Sequence, residues 1–162
     1  MVTEPESMPD LNQRRDAVAL PPGKRKRKQK RIRTWDSSLL SAEIGPYVFV
    51  ALTESGALKA EGRRMQHCIA TYIDICRMDV ARIFSVRDAI SERPVATLSL
   101  IWIDDYWHID QLKGLRNAEV AIHQAIYFDG EETVIDIEMT ELYFAAQELL
   151  LRYRRAWAME QH

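Results

Sequence analysis

Hydrophobic positions along the chain change their spacing several times, and each change predicts an element. Behind Gly45-Pro46, the run Tyr47-Val48-Phe49-Val50-Ala51-Leu52 is aromatic and β-branched and reads as a buried strand. Thr53 or Ser55 can cap a helix beyond it. There Leu58, Met65, Ile69, Tyr72 and Cys76 recur at steps of three and four or their sum, which predicts one apolar helical stripe with Gly62 as a point of interruption. Segments 81–87, 94–102 and 106–112 are then short and rich in strand-favouring residues. With Asp104-Asp105 as a tight turn, they predict a three-stranded antiparallel meander. Asn117 predicts the cap of a further helix running to about Phe128 and ended by Asp129-Gly130-Glu131-Glu132. The last segment is the clearest helix, with Met139, Leu142, Tyr143, Ala146, Leu149, Leu150, Tyr153 and Trp157 on one face. Arg152, Arg154 and Arg155 fall in its final turns, where cations suit the helix dipole.

These elements predict an α+β fold: a small antiparallel sheet of three to four strands with helices packed on one face. The expected organisation is a flexible tail over 1–44 and a single domain over 45–162, without internal repeats. The chain's 162 residues, 47% hydrophobic and 28% charged, suit one globular core and exclude a wholly disordered, collagen-like or membrane-embedded chain. No apolar run reaches 18 residues and the acidic start lacks a signal peptide's apolar stretch, so a cytoplasmic location without a membrane span is expected. The two cysteines, Cys68 and Cys76, lie in a stretch read as helical, which would hold them about 12 Å apart and unpaired. Together with four scattered histidines they form no zinc spacing, and no metal or cofactor is expected.

A net charge of −2 conceals a division within the chain. Lys24, Arg25, Lys26, Arg27, Lys28, Lys30, Arg31 and Arg33 place eight cations in ten positions, whereas the chain from Thr34 onward has 20 acidic and 12 basic residues, a balance of −8. Such a run, preceded by Pro21-Pro22-Gly23, reads as an extended, solvated tail. Nucleic acid is its expected partner through counterion release. The alternatives are a linker held by its own acidic body, a targeting signal and an anionic membrane surface.

Candidate chemistry falls in three places. Around Glu61-Gly62-Arg63-Arg64-Met65-Gln66-His67-Cys68, one continuous helix would turn His67 away from the apolar stripe and leave Cys68 beside it. A new helix starting near Met65 would put both in its first turn, where anions and thiolates are favoured. Cys68 also reads as a small packed side chain. In the first meander strand Ser85 and Arg87 share a face, as do Thr97 and Ser99 in the second. Arg87 is either an anion clamp or a strand-end ion pair. In the third strand Trp107, Ile109, Gln111 and Lys113 are placed on one face, apolar turning polar, with His108 and Asp110 opposite. Gly114 then permits close backbone approach or positive φ, and Asn117 is either an ordinary cap or the opening of an anion-binding helix terminus.

The ordered set Leu58, Glu61-Gly62, Met65, His67-Cys68, Tyr72, Ser85-Val86-Arg87, Ala96-Thr97-Leu98 and Gln111-Leu112-Lys113-Gly114 with Asn117 resembles the PcfJ-like family of plasmids and other mobile elements. Ala70 and Asp79 stand where that pattern favours glycine. The resemblance implies a bacterial or phage-related mobile-element setting and supplies no reaction. The matching polar positions are Glu61, His67, Cys68, Ser85, Arg87, Gln111, Lys113 and Asn117. The leading expectation is a binding module for nucleic acid or a phosphate-bearing small molecule. An enzyme is the alternative, with His67 as acid or base, Cys68 or Ser85 as nucleophile and Arg87, Gln111 and Asn117 stabilising negative charge. A third reading is a protein that only contacts other proteins, its polar set holding up its own loops.

Overall fold

The computed structural model describes residues 31–120 and 141–162 in full and the backbone of 122–128 and 131–138. Five strands form one antiparallel sheet in chain order: β1 (Ser41–Ile44), β2 (Tyr47–Ala51), β3 (Ala81–Asp88), β4 (Pro94–Ile103) and β5 (Tyr106–Lys113). Between β2 and β3 come α1 (Ser55–Met65), a 3-10 turn (Ile69–Tyr72) and the short α2 (Ile73–Arg77). A separate two-stranded hairpin, β6 (Ile122–Phe128) with β7 (Glu131–Glu138), precedes α3 (Glu141–Glu160). The fold is α+β as expected, with five strands in the main sheet rather than three or four. The cations at 24, 25, 26, 27, 28 and 30, and Met139 of the last apolar stripe, lie outside the described residues.

Three features lie ahead of Gly45, where the sequence reading begins the domain: β1, Trp35 and Arg33. Gly45, at φ 55, is the first central residue of a two-residue hairpin joining β1 to β2, so Gly45-Pro46 turns the chain inside the sheet. Trp35 is buried against Leu52 and donates its indole N–H to the Leu52 carbonyl at 3.0 Å. Arg33 pairs with Asp74 at 2.9 Å, which ties the last cation of the basic run to the folded body.

Strand β3 is central and covered on both sides, hence its unbroken burial from Ala81 to Val86. Period-two alternation sends Phe84 and Val86, with Leu98 and Leu100 of β4, toward α3. Ala81 and Ile83 point the other way, into a second cluster with Leu58, Ile69 and Cys76 from the α1–α2 side. The helices therefore cover both faces of the sheet instead of one. The α3 side is sealed by Tyr153, whose ring meets Phe84 and Trp107 edge-on at 5.9 and 5.3 Å, and by Arg154, which donates to the Trp107 carbonyl.

The helix expected over 117–128 is replaced by strand. β6 and β7 pair antiparallel from Phe128↔Glu131, and Asp129-Gly130, read from sequence as part of a helix stop, lies outside the described residues. Asp104-Asp105 does form the β4–β5 turn, both residues at positive φ (50 and 64). Asp79, where the family pattern favours glycine, also sits at positive φ (60).

Candidate functional site

The continuous helical stripe from Leu58 to Cys76 is interrupted at Gln66, not at Gly62. Gln66 adopts a left-handed conformation (φ 54, ψ 50) and its backbone N–H bonds to the Gly62 carbonyl, which stops α1. His67 follows, and its N–H reaches the same carbonyl at 3.1 Å. Gly62 allows this fold-back: a Cβ there would come within 3.1 Å of the His67 carbonyl oxygen. His67 and Cys68 consequently lie in a connection between α1 and the 3-10 turn. Neither alternative posed by the sequence, one straight helix or a new helix from Met65, describes them.

The connection closes one wall of a cleft of about 410 Å³ over the α1-side face of the sheet. His67, Cys68, Thr71 and Tyr72 line it from that side, and Thr97, Ser99, Gln111, Lys113 and Asn117 from the sheet and the turn beyond it. Five of the eight positions named from sequence thus meet around one hollow: His67, Cys68, Gln111, Lys113 and Asn117. Cys68 is exposed on the cleft wall, so it is not the packed core thiol, whereas Cys76 is buried; both are free thiols.

Glu61 lies beneath the cleft as a fully buried carboxyl. The Thr97 hydroxyl donates to Glu61 Oε1 at 2.8 Å, and Thr97 Oγ1 lies 2.8 Å from His67 Nε2. A hydroxyl has one proton. Since Thr97 gives it to Glu61, it accepts from His67, so Nε2 carries the proton and the neutral ring keeps its lone pair on Nδ1. His67 Nδ1 is buried without a partner. A relay therefore runs from a buried carboxyl through a hydroxyl to an oriented imidazole whose other nitrogen is uncommitted.

Ser85 and Arg87 stand apart. Ser85 is fully buried on β3 beside Thr97, Arg87 Nε donates to its Oγ at 3.4 Å, and neither lines the cleft. Asn117 does not open a helix: Arg116 and Asn117 both take left-handed conformations (φ 55 and 59) in a turn after β5. Gly114 has φ −79 and a Cβ there would make only ordinary contact with Ala118 at 3.5 Å, so neither expected role is seen, and the positive φ values belong to Arg116 and Asn117. Arg116 Nε bonds Gln66 Oε1 at 2.8 Å, tying that turn to the end of α1.

Strand β5 also differs from the expected alternation. A bulge at Asp110 faces Ser99 with Gln111 but Leu100 with Ile109. Trp107 and Ile109 therefore pack on the α3 side, while Gln111 and Lys113 line the cleft on the opposite face. Asp110 is turned to the cleft side with them, accepting from Tyr72 Oη at 2.6 Å and Ser99 Oγ at 3.1 Å. Partial burial, and then the Asp110 hydrogen bond and charge, push the Tyr72 phenol up to about 12. Lys113 forms an ion pair with Glu119. Sequence reasoning had placed Tyr72 only in the apolar stripe; its phenol within the family pattern was the available signal. Among the described residues no cluster of His, Cys, Asp and Glu could hold a metal ion, and no helix is long and apolar enough to cross a membrane.

A family model described as PcfJ-like protein matches residues 2–127. That span reaches well beyond the motif-bearing centre of the chain, from ahead of the basic run into β6. No curated protein matches, and no solved structure does.

Proposed function

The chain belongs to the PcfJ-like family, and on that footing we propose that it is a mobile-element protein whose cleft binds nucleic acid or another phosphate-bearing ligand. The convergence of His67, Gln111, Lys113 and Asn117 on one hollow carries this reading. Amide and ammonium donors on one side of an open cleft suit phosphate oxygens. The volume of about 410 Å³ admits a single nucleotide-sized unit and not a duplex. In nucleic acid the occupant would be a strand end or an extruded unit.

The basic run is a separate, sequence-level support. Arg33 is held by Asp74, which leaves at most seven of the eight cations in the sequence for phosphates. Seven contacts correspond to a log-log salt slope of about −6 on duplex and about −5 on single strands.

The His67–Thr97–Glu61 relay favours a second reading, in which His67 exchanges a proton with bound ligand once its buried Nδ1 is brought to the cleft. A fixed tautomer with an uncommitted lone pair is what a general base requires. Cys68 is the candidate nucleophile within the cleft, since Ser85 has no access to it.

The test is binding of single-stranded and duplex DNA and RNA, and of mononucleotides, across a salt series. It compares the full chain, a variant with the eight basic residues changed to Gln, and Lys113→Gln. Expected are a steep salt slope that flattens in the first variant, and mononucleotide affinity reduced in the second alone. Absence of binding by the full chain at low salt would remove the proposal.

A further inference from the structure

A second cleft of about 420 Å³ lies on the opposite face of the sheet from the first, at the β4–β5 turn end. Trp102, Trp107 and Trp157 form its apolar wall, Arg82 its floor, and Asp36 and Glu160 part of its rim. Three of the chain's four tryptophans are thus concentrated here.

Two polar atoms in this wall are unsatisfied. Trp107 Nε1 and Arg82 Nε are buried N–H donors without a partner, in residues only 2% and 7% exposed. The rest of the Arg82 guanidinium is engaged: Nη1 donates to the Ala81 carbonyl at 2.7 Å, and Nη2 to Asp79 at 2.6 Å. Its plane also lies over Trp107, 5.6 Å from the ring centre. Buried donors left unpaired are costly, so an oxygen or ring-nitrogen acceptor entering this cleft has two groups to satisfy.

The packing of the rings limits the shape of the occupant. Trp102 meets Trp157 at 4.5 Å and Trp107 at 5.4 Å between ring centres. Enclosing a ligand between two ring faces needs about 7 Å, twice a van der Waals separation, so neither of these pairs encloses a quaternary ammonium. What remains is an outer indole face, on which a flat ring can stack. The acidic rim sets the charge: among the described lining residues the carboxylates of Asp36, Asp79 and Glu160 outnumber the one cation, Arg82, which is paired with Asp79, so the rim repels phosphate and accepts from amino groups.

We propose that this second cleft binds an amino-bearing nucleobase, as the free base or nucleoside, stacked on the tryptophan wall. Its ring acceptors face Trp107 and Arg82, and its exocyclic amino group faces the acidic rim. The site is independent of the phosphate-binding cleft and opposite to it in charge preference.

Intrinsic tryptophan fluorescence of the full chain, titrated with cytidine, uridine and cytidine 5′-monophosphate, reads the site directly, supported by the Trp107 indole N–H resonance. Cytidine is expected to quench saturably and to shift that resonance. Uridine, which lacks the amino group, and the monophosphate, which meets the acidic rim, are each expected to bind about tenfold more weakly, one decade in Kd. Trp157→Leu, a half-buried position on the cleft wall, is expected to abolish the quenching with the melting transition retained. The inference is overturned by quenching that does not saturate, by equal affinity for nucleoside and monophosphate, by saturable quenching that persists in a folded Trp157→Leu variant, or by tetramethylammonium competing as well as cytidine. If Trp157→Leu does not fold, Asp36→Asn at the exposed rim replaces it, with the cytidine-to-uridine ratio expected to collapse and an unchanged ratio overturning the inference.

Discussion

Replacing Thr97 by valine removes one oxygen atom from the centre of the His67–Thr97–Glu61 relay while keeping side-chain shape. Thr97 is 4% exposed and Glu61 1% exposed, so water does not take over the lost bond. Losing a buried hydrogen bond to a carboxylate costs about 1.5–3 kcal/mol, which for a fold of this size lowers Tm by roughly 6–10 °C. Glu61→Gln retains an acceptor for the Thr97 hydroxyl and should cost less. In the Glu61→Leu background, Thr97→Val still loses the His67 bond and should cost about 0.5–1 kcal/mol, giving a double-mutant coupling of about 1–2 kcal/mol. Thermal melts of the four proteins measure this. Nitrogen NMR of His67 supplies a second readout, because its Nε2–H tautomer should dominate in the parent and lose that preference in Thr97→Val. A Thr97→Val melt matching the parent, or strictly additive effects, would refute the relay.

Three other outcomes follow from single residues. Exposed Cys68 should react with a thiol reagent in the native protein while buried Cys76 reacts only on unfolding, so titration should count one thiol folded and two unfolded. Burial, partly offset by Arg82, pushes Cys76 from 9.0 up to about 12, so its contribution to stability is complete below pH 9 and is lost as pH rises toward 12. Urea midpoints from neutral to alkaline pH should fall over that window, and less steeply for Cys76→Ala. Asp105 occupies a left-handed position at φ 64 in the β4–β5 turn, so Asp105→Gly should raise stability by about 0.5–1 kcal/mol in the same unfolding assay.

The legible parts of this fold are those whose signal is local. The β3–β4–β5 meander, the Asp104-Asp105 turn and the long last helix follow from period and turn chemistry, and all appear where those place them. The cleft was legible as a residue set because the family pattern marked polar positions independently of their geometry. Its construction was not. The Asp110 bulge changes which face Gln111 and Lys113 occupy, and a bulge leaves no mark on alternation until strand pairing is known. Gly62 looked like a helix breaker when its function is to admit the His67 carbonyl, a tertiary contact. Ser85 shares a face with Thr97, yet shared orientation does not distinguish a cleft wall from ground buried next to it. Covering both faces of the sheet depends on β3 being central, which its continuous burial expresses only after the strand order is seen.

The claim on which the account rests is that the cleft between the His67–Tyr72 segment and strands β4 and β5 takes a phosphate-bearing ligand. Residue-resolved NMR of the full chain, titrated with a mononucleotide and with inorganic pyrophosphate, tests it most directly. Saturable shifts confined to His67, Cys68, Gln111, Lys113 and Asn117, weakened in Lys113→Gln, are the predicted result. Shifts that never saturate, or that gather elsewhere and leave His67 and Asn117 unmoved, would contradict it.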